Sequence, residues 1–180
     1  MRSKLSLIAL LVILLSGLTV SAAPPSSDEV MAAAKTEARM QQKAIFLHFG
    51  ASWCGWCKKL DAYLDREDIK PVFSKYFVSV KLVTQEDPKH KDLENAGADT
   101  WVAKLGGPAG LPLSAFLDDT GKIIIDSKRV TSGAKEAQNI GYPSDPAELE
   151  WFTKMLKTSA PKITDADLAS LLAPLKAPKK

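Results

Sequence analysis

Of the 180 residues, 24 are basic and 21 acidic, giving a formal net charge of +3. Two of the basic residues, Arg2 and Lys4, precede the uncharged stretch 5–20, so the rest of the chain has an excess of only one. That balance argues against a nucleic-acid-binding surface, which needs clustered positive charge.

Residues 1–22 read as a cleaved secretory signal peptide: a basic start, an apolar stretch, then the small residues Ser21, Ala22 and Ala23. The apolar stretch is shorter than the roughly 18 residues of a spanning helix, and an uncleaved N-terminal anchor is the alternative. No cysteine follows the cleavage region, which argues against a lipid-modified terminus. The chain is therefore expected to be exported, to the periplasm or beyond, and its A-P-K-K ending is not a retention signal. Residues 23–160 have the length of one domain with its own core. Residues 161–180 read as a C-terminal extension with a short helix and a Lys-rich tail.

In chain order, residues 28–43 read as a helix, with Val30, Ala33, Ala34, Ala38 and Met40 among charges and no Gly or Pro. Residues 44–49 form a short apolar run and read as a buried strand. Residues 58–66 read as a helix with Leu60, Tyr63 and Leu64 on one face. Residues 76–83 (Y-F-V-S-V-K-L-V) read as a second strand, parallel to the first. Residues 89–103 read as a helix broken near Gly97, followed by L-G-G-P-A-G. Residues 113–117 and 122–126 read as an antiparallel hairpin around a turn with Gly121. Residues 131–143 read as a loop. Ser144-Asp145-Pro146 reads as a helix start with Pro in the first turn. T-D-A-D from Thr164 resembles a capping box and starts a last short helix. This order gives an α/β fold, a small mixed sheet between helices.

Cys54 and Cys57 are the only cysteines. A stapling disulfide is the bland reading for an exported chain, yet a bridge enclosing two residues constrains little loop entropy. A zinc site needs about four ligands. Two cysteines with His48 and His90 suffice on paper, but no second C-x-x-C or H-x-x-x-H is present. Lys58 stands where a haem-attachment motif requires histidine. The favoured reading is a redox dithiol. A strand, a loop and a helix start place Cys54 at a helix N-terminus, where backbone N–H groups, together with Lys58 and Lys59, favour the thiolate. Cys57, one turn further on, would resolve the mixed disulfide.

The stretch F-G-A-S-W-C-G-W-C-K-K-L resembles the active-site segment of the thioredoxin-like family, usually W-C-x-x-C-K. Gly110-Leu111-Pro112 before the third strand is similar to the family's G-[IV]-P, and D-D-T-G-K-I-I-I to its hairpin. The resemblance spans residues 44–156 and implies a thioredoxin-like three-layer sandwich. It implies that Pro112 is a cis-proline against the cysteines, leaving the Leu111 backbone to pair with an extended substrate. Trp53, Gly55, Trp56 and Leu111 would form the substrate-binding face. Trp56 departs from the family, which has proline or histidine there. His48 stands where thioredoxins carry a buried aspartate that relays protons to the resolving thiol, and Lys81 matches the lysine beside it. A neutral His48 could act as the base for Cys57; a half-buried strand histidine is the plainer reading. His90 reads as a solvated residue.

These residues point to an exported thiol–disulfide oxidoreductase acting on protein disulfides and leaning towards reduction or isomerisation. No cofactor and no metal are expected. A reductase outside the cytosol implies a membrane-bound redox partner, and a monomer is expected. The other reading is a binding or chaperone-like module on the same fold, with partner contacts from the connections 95–110 and 131–143.

Overall fold

The computed structural model describes residues 23–130 and 137–176. The leader read in residues 1–22 lies outside them, as do 131–136 and the end of the Lys-rich tail, 177–180. None of the described helices is long and apolar enough to cross a membrane.

Helix α1 (Ser27–Gln41) opens with a capping box: the Ser26 hydroxyl accepts the Glu29 N–H, and the Glu29 carboxylate accepts the Ser26 N–H at 2.8 Å. Met31, Ala34 and Ala38, spaced three and four apart, bury one face against the sheet. Strand β1 (Ala44–Gly50) is buried at all seven positions. That follows from its central place in the order β2-β1-β3-β4, with both faces covered. It runs parallel to β2 (Phe77–Val83) and antiparallel to β3 (Leu113–Leu117); β3 in turn pairs antiparallel with β4 (Ile123–Asp126).

Alternation along β1 divides the core. Ile45, Leu47 and Phe49 face the side covered by α1 and α4 (Ala98–Lys104), where Met31, Trp101 and Val102 complete one cluster. Phe46 faces the other, with Leu60 and Tyr63 of α2 (Gly55–Leu64), Phe73 of α3 (Lys70–Ser74), Phe152 and Met155 of α5 (Pro146–Ser159), and four leucines of α6 (Asp165–Lys176). His48 alternates onto the Phe46 side, stacked on that ring at 5.5 Å. Helices, sheet, helices: this is the three-layer thioredoxin-like sandwich that the resemblance implies.

Several local expectations are corrected. Residues 89–103 do not form one interrupted helix; only a 3-10 turn, Lys91–Leu93, and α4 are helical. The Asn95 side chain accepts the Val83 N–H at 2.7 Å and donates to the Pro25 carbonyl at 2.8 Å, so the chain docks on the end of β2 instead of continuing a helix. Gly97 then turns with φ +81°, and a Cβ there would lie 2.8 Å from Ser27 Oγ. Helix α3, five residues long, is too short to show a period in the sequence. Within the stretch read as a loop, Gln138–Asn139 (β6) pairs with Lys128–Arg129 (β5). Helix α6 runs to Lys176 through Pro174, because Leu168, Leu171, Leu172 and Leu175 bury one stripe in the core. Its T-D-A-D start is half a capping box: Thr164 Oγ1 accepts the Asp167 N–H, while the Asp167 carboxylate takes Tyr76 Oη at 2.7 Å and Lys75 Nζ at 3.0 Å.

Candidate active site

Cys54 and Cys57 form a disulfide at the N-terminus of α2. Cys54 is the N-cap, with extended backbone angles, and its Sγ accepts the Cys57 N–H at 3.1 Å. A sulfur in that place faces the unpaired N–H groups of the first turn, which stabilise negative charge. No acidic residue stands in that turn. Cys57, 1% exposed, lies under the helix with its Sγ 3.9 Å from the Phe49 carbonyl, and Cys54 is 4% exposed. Both are buried, and what sets the sulfurs apart is their place on α2: Cys54 caps its start, and Cys57 lies one turn inside it.

The wall beside them is Ala51 and Leu111. The Leu111–Pro112 bond is cis, as the resemblance implied. Asn139 fixes this segment from behind. Its Nδ2 donates to the Gly110 and Pro112 carbonyls, both at 3.0 Å, and its Oδ1 accepts the Ser127 hydroxyl at 2.7 Å and the Gly141 N–H at 3.2 Å. Ser127 Oγ in turn accepts the Ser114 N–H at 3.0 Å. Asn139, in a stretch read as a loop, thus becomes with Ser127 a bracket for the proline segment.

Trp53 and Trp56 flank the pair at 56% and 45% exposure. Trp53 Nε1 donates to the Gln85 carbonyl at 2.8 Å. Trp56 stacks on Tyr142, with centroids 6.1 Å apart and planes at 23°, and Lys59 Nζ sits 4.1 Å from its ring. A groove of about 240 Å³ runs from Trp56 past Leu111 and Pro112 to Tyr142 and Glu148. Gly55, between the cysteines, is exposed, with open space where a Cβ would stand.

Below Cys57 lies a charged group. Lys81 pairs in register with His48 across β1 and β2, and its Nζ contacts Asp61 Oδ2 at 2.6 Å. His48 Nδ1 lies 3.8 Å from the other Asp61 oxygen. Burial pushes the His48 imidazole down to about 4, against the pull of Asp61 and with a smaller push from Lys81, so the ring is neutral at pH 7. Gly50 makes the packing possible: a Cβ there would stand 3.1 Å from Lys81 Cε and 3.3 Å from Cys57 Cβ. Among the described residues no hydrogen bond joins His48 to either sulfur; its charged neighbours are Asp61 and Lys81.

Asp61 was not singled out in the sequence. It stands four residues after Cys57 on α2, the spacing that places two side chains on one face, and that was the available signal. Asn139 and Tyr142 had none, lying in a stretch without periodicity. His90 is exposed and pairs with Asp87 at 2.9 Å. Among the described residues no three His, Cys, Asp or Glu side chains come together as a metal site.

The family model Thioredox_DsbH, described as a protein of unknown function, DUF255, matches residues 24–165. No curated protein matches the chain. Among solved structures, a disulphide isomerase from Xylella fastidiosa Temecula1 is similar at 20% identity and a TM-score of 0.39, covering 83% of this chain and 88% of that one. The C-terminal domain of Neisseria meningitidis DsbD in its oxidised form aligns at 19% identity and a TM-score of 0.43, over 74% of this chain and 99% of its own. A DsbH oxidoreductase aligns at 22% and 0.42, over 76% and 88%.

Proposed function

The chain belongs to the Thioredox_DsbH family, and from that premise we propose that it is an exported thiol–disulfide oxidoreductase reducing or isomerising disulfides in proteins. The observation that carries the reading is the placing of Cys54 Sγ at the α2 N-cap, next to the cis-proline segment and between two exposed tryptophans.

In the reduced protein, the Cys54 thiolate attacks one sulfur of a substrate disulfide. That bond breaks, a Cys54–substrate disulfide forms, and the departing substrate sulfur takes a proton. Cys57 then gives up its proton and attacks Cys54 Sγ, restoring the Cys54–Cys57 bond and releasing the second substrate thiol. Two electrons have passed from protein to substrate. In isomerisation the substrate's own thiolate displaces Cys54 instead. The helix N-terminus favours the attacking thiolate. Neither Leu111 backbone group is hydrogen-bonded among the described residues, which leaves them to an extended substrate. Trp53, Gly55 and Trp56 would border the bound peptide.

His48, Lys81 and Asp61 are the group nearest Cys57 that can move its proton. His48 is neutral, as a base must be, and Asp61 bridges it to the lysine. The recycling donor would be a membrane-bound dithiol protein, and the location periplasmic. The test is insulin reduction by the mature chain, with Cys54→Ser as control. Turnover abolished in the variant supports the enzyme, whereas a folded wild type without turnover favours a docking module on the same fold.

A further inference from the structure

The loop that carries Cys54 is tied down on its far side by three consecutive residues. Thr84 donates its N–H to the Gly50 carbonyl at 3.0 Å. The Gln85 carbonyl accepts Trp53 Nε1 at 2.8 Å. The Glu86 carboxylate accepts both the N–H and the hydroxyl of Ser52, at 2.5 and 2.7 Å. Residues 84–86 therefore match residues 50–53 almost one for one, and the clasp ends one residue short of the nucleophile.

Two features of this clasp are costly. Gln85 has φ +58°, in the left-handed region that a residue with a Cβ rarely adopts. Such a conformation persists where the surroundings enforce it, and it clusters at functional sites. Glu86 is 5% exposed, and among the described residues no lysine, arginine or histidine lies within ion-pair distance of its carboxylate. Buried carboxylates are ordinarily paired with a cation or a metal. Among the described residues, this one is held by the two donors of Ser52. A glutamine would keep one acceptor oxygen for the Ser52 N–H, and its amide could donate to the Ser52 hydroxyl once that hydroxyl turns to accept, so the contact to Ser52 can survive without the charge.

We propose, resting on the redox reading of the Cys54–Cys57 pair, that Glu86 is a positioning residue for Cys54: its carboxylate fixes the loop before the nucleophile, and its charge disfavours the Cys54 thiolate. Reduction by a dithiol donor moves two electrons into the Cys54–Cys57 bond. The donor becomes a disulfide, and its two protons pass to the two sulfurs. The reduced pair gains further stability whenever Cys54 releases its proton as a thiolate. A negative charge held on Ser52, two residues before Cys54, in a poorly solvated place opposes that release and biases the pair towards the disulfide, making the dithiol the stronger reductant. The helix N-terminus acts the other way, so the poise is a balance of two fixed fields. The other charges facing the carboxylate's segment are Glu94, which accepts the Glu86 N–H at 2.8 Å, Lys91 on Glu94 at 2.8 Å, and the Asp87–His90 pair. Lys58 and Lys59 follow the cysteine on α2, while His48, Asp61 and Lys81 lie below Cys57. His90 feels the Glu86 charge, but its direct partner is Asp87, and among the described residues no cation lies within ion-pair distance of Glu86.

The test is the equilibrium of the Cys54–Cys57 pair with a glutathione series, together with the thiolate absorbance of reduced protein against pH. Both are read on wild type and Glu86→Gln. The variant is expected to shift the equilibrium about three- to tenfold towards the dithiol, a potential roughly 15–30 mV less negative. Its Cys54 thiolate is expected to form at lower pH. An equilibrium within a factor of about 1.5 of wild type, or a shift towards the disulfide, overturns the proposal. Should Glu86→Gln not fold, Glu86→Asp decides: retaining the charge, it should stay within about twofold of wild type, and a tenfold departure contradicts a role for charge. Both readouts are independent of turnover, so a protein inactive on insulin still tests Glu86. Conversely, insulin activity lost with Cys54→Ser stands whatever Glu86 does.

Discussion

Replacing Asn139 by alanine removes four hydrogen bonds at once, two to the carbonyls of Gly110 and Pro112 and two from Ser127 and Gly141. Each is worth about 0.5–1.5 kcal/mol net. Ser127 is fully buried, and its hydroxyl would lose its acceptor. Four such bonds sum to a destabilisation of about 2–6 kcal/mol. For a domain of this size that lowers Tm by about 4–24 °C, measured by calorimetry on the oxidised protein. The structure also predicts a direction for Asn139→Asp. A carboxylate can still accept from Ser127 and Gly141, but it faces two carbonyl oxygens where an amide donated. At pH 7 it should be at least as destabilising as alanine. Because Asn139 brackets the segment beside Cys54, both variants should also weaken insulin reduction, mainly through KM. A loss below about 0.5 kcal/mol for alanine, or an aspartate as stable as wild type, would refute the bracket.

Three further outcomes follow from the same geometry. His48 titrates near 4 in the fold against an ordinary 6.5, so the unfolded chain binds its proton first as pH falls. Stability should be full above about pH 6.5 and fall by on the order of 3 kcal/mol by pH 4. His48→Phe should lose that slope in urea titrations, and an unchanged slope would remove His48 as its source. If the group below Cys57 carries its proton, Asp61→Asn should alter the pH profile of substrate release from the mixed disulfide, and an identical profile would exclude Asp61. Trp56→Ala loses the stack on Tyr142 and the Lys59 contact at a part-exposed site. It should cost about 1 kcal/mol or less in denaturant but several-fold in KM for a protein substrate; an unchanged KM would make Trp56 a packing residue.

The layers and their order were legible because they rest on local pattern. Residues 44–49 read as a buried strand from their unbroken apolar run, and β1 proved buried on both faces. Asp145-Pro146 announced α5, where Asp145 caps and Pro146 takes the first position. The cysteine spacing located a strand–loop–helix junction, and Leu111-Pro112 pointed through a family likeness to the segment beside it. What stayed hidden depends on contacts between distant segments. Asp61, Glu86 and Asn139 look like surface polar residues in the sequence; only the fold turns them to Lys81, Ser52 and the proline segment. Residues 89–103 misled for a related reason. Their composition suits a helix, but the tertiary bonds of Asn95 override that propensity.

The division of labour between two unequal sulfurs is tested most directly by trapping. Cys57→Ser keeps the N-cap thiol and removes the resolving one, so incubation with a disulfide-bonded protein substrate should accumulate a mixed disulfide on Cys54, readable by mass spectrometry of non-reduced digests. Cys54→Ser, keeping only the sulfur inside the helix, should trap little or nothing. Equal trapping on both variants, or trapping on Cys57 alone, would contradict Cys54 as the attacking sulfur.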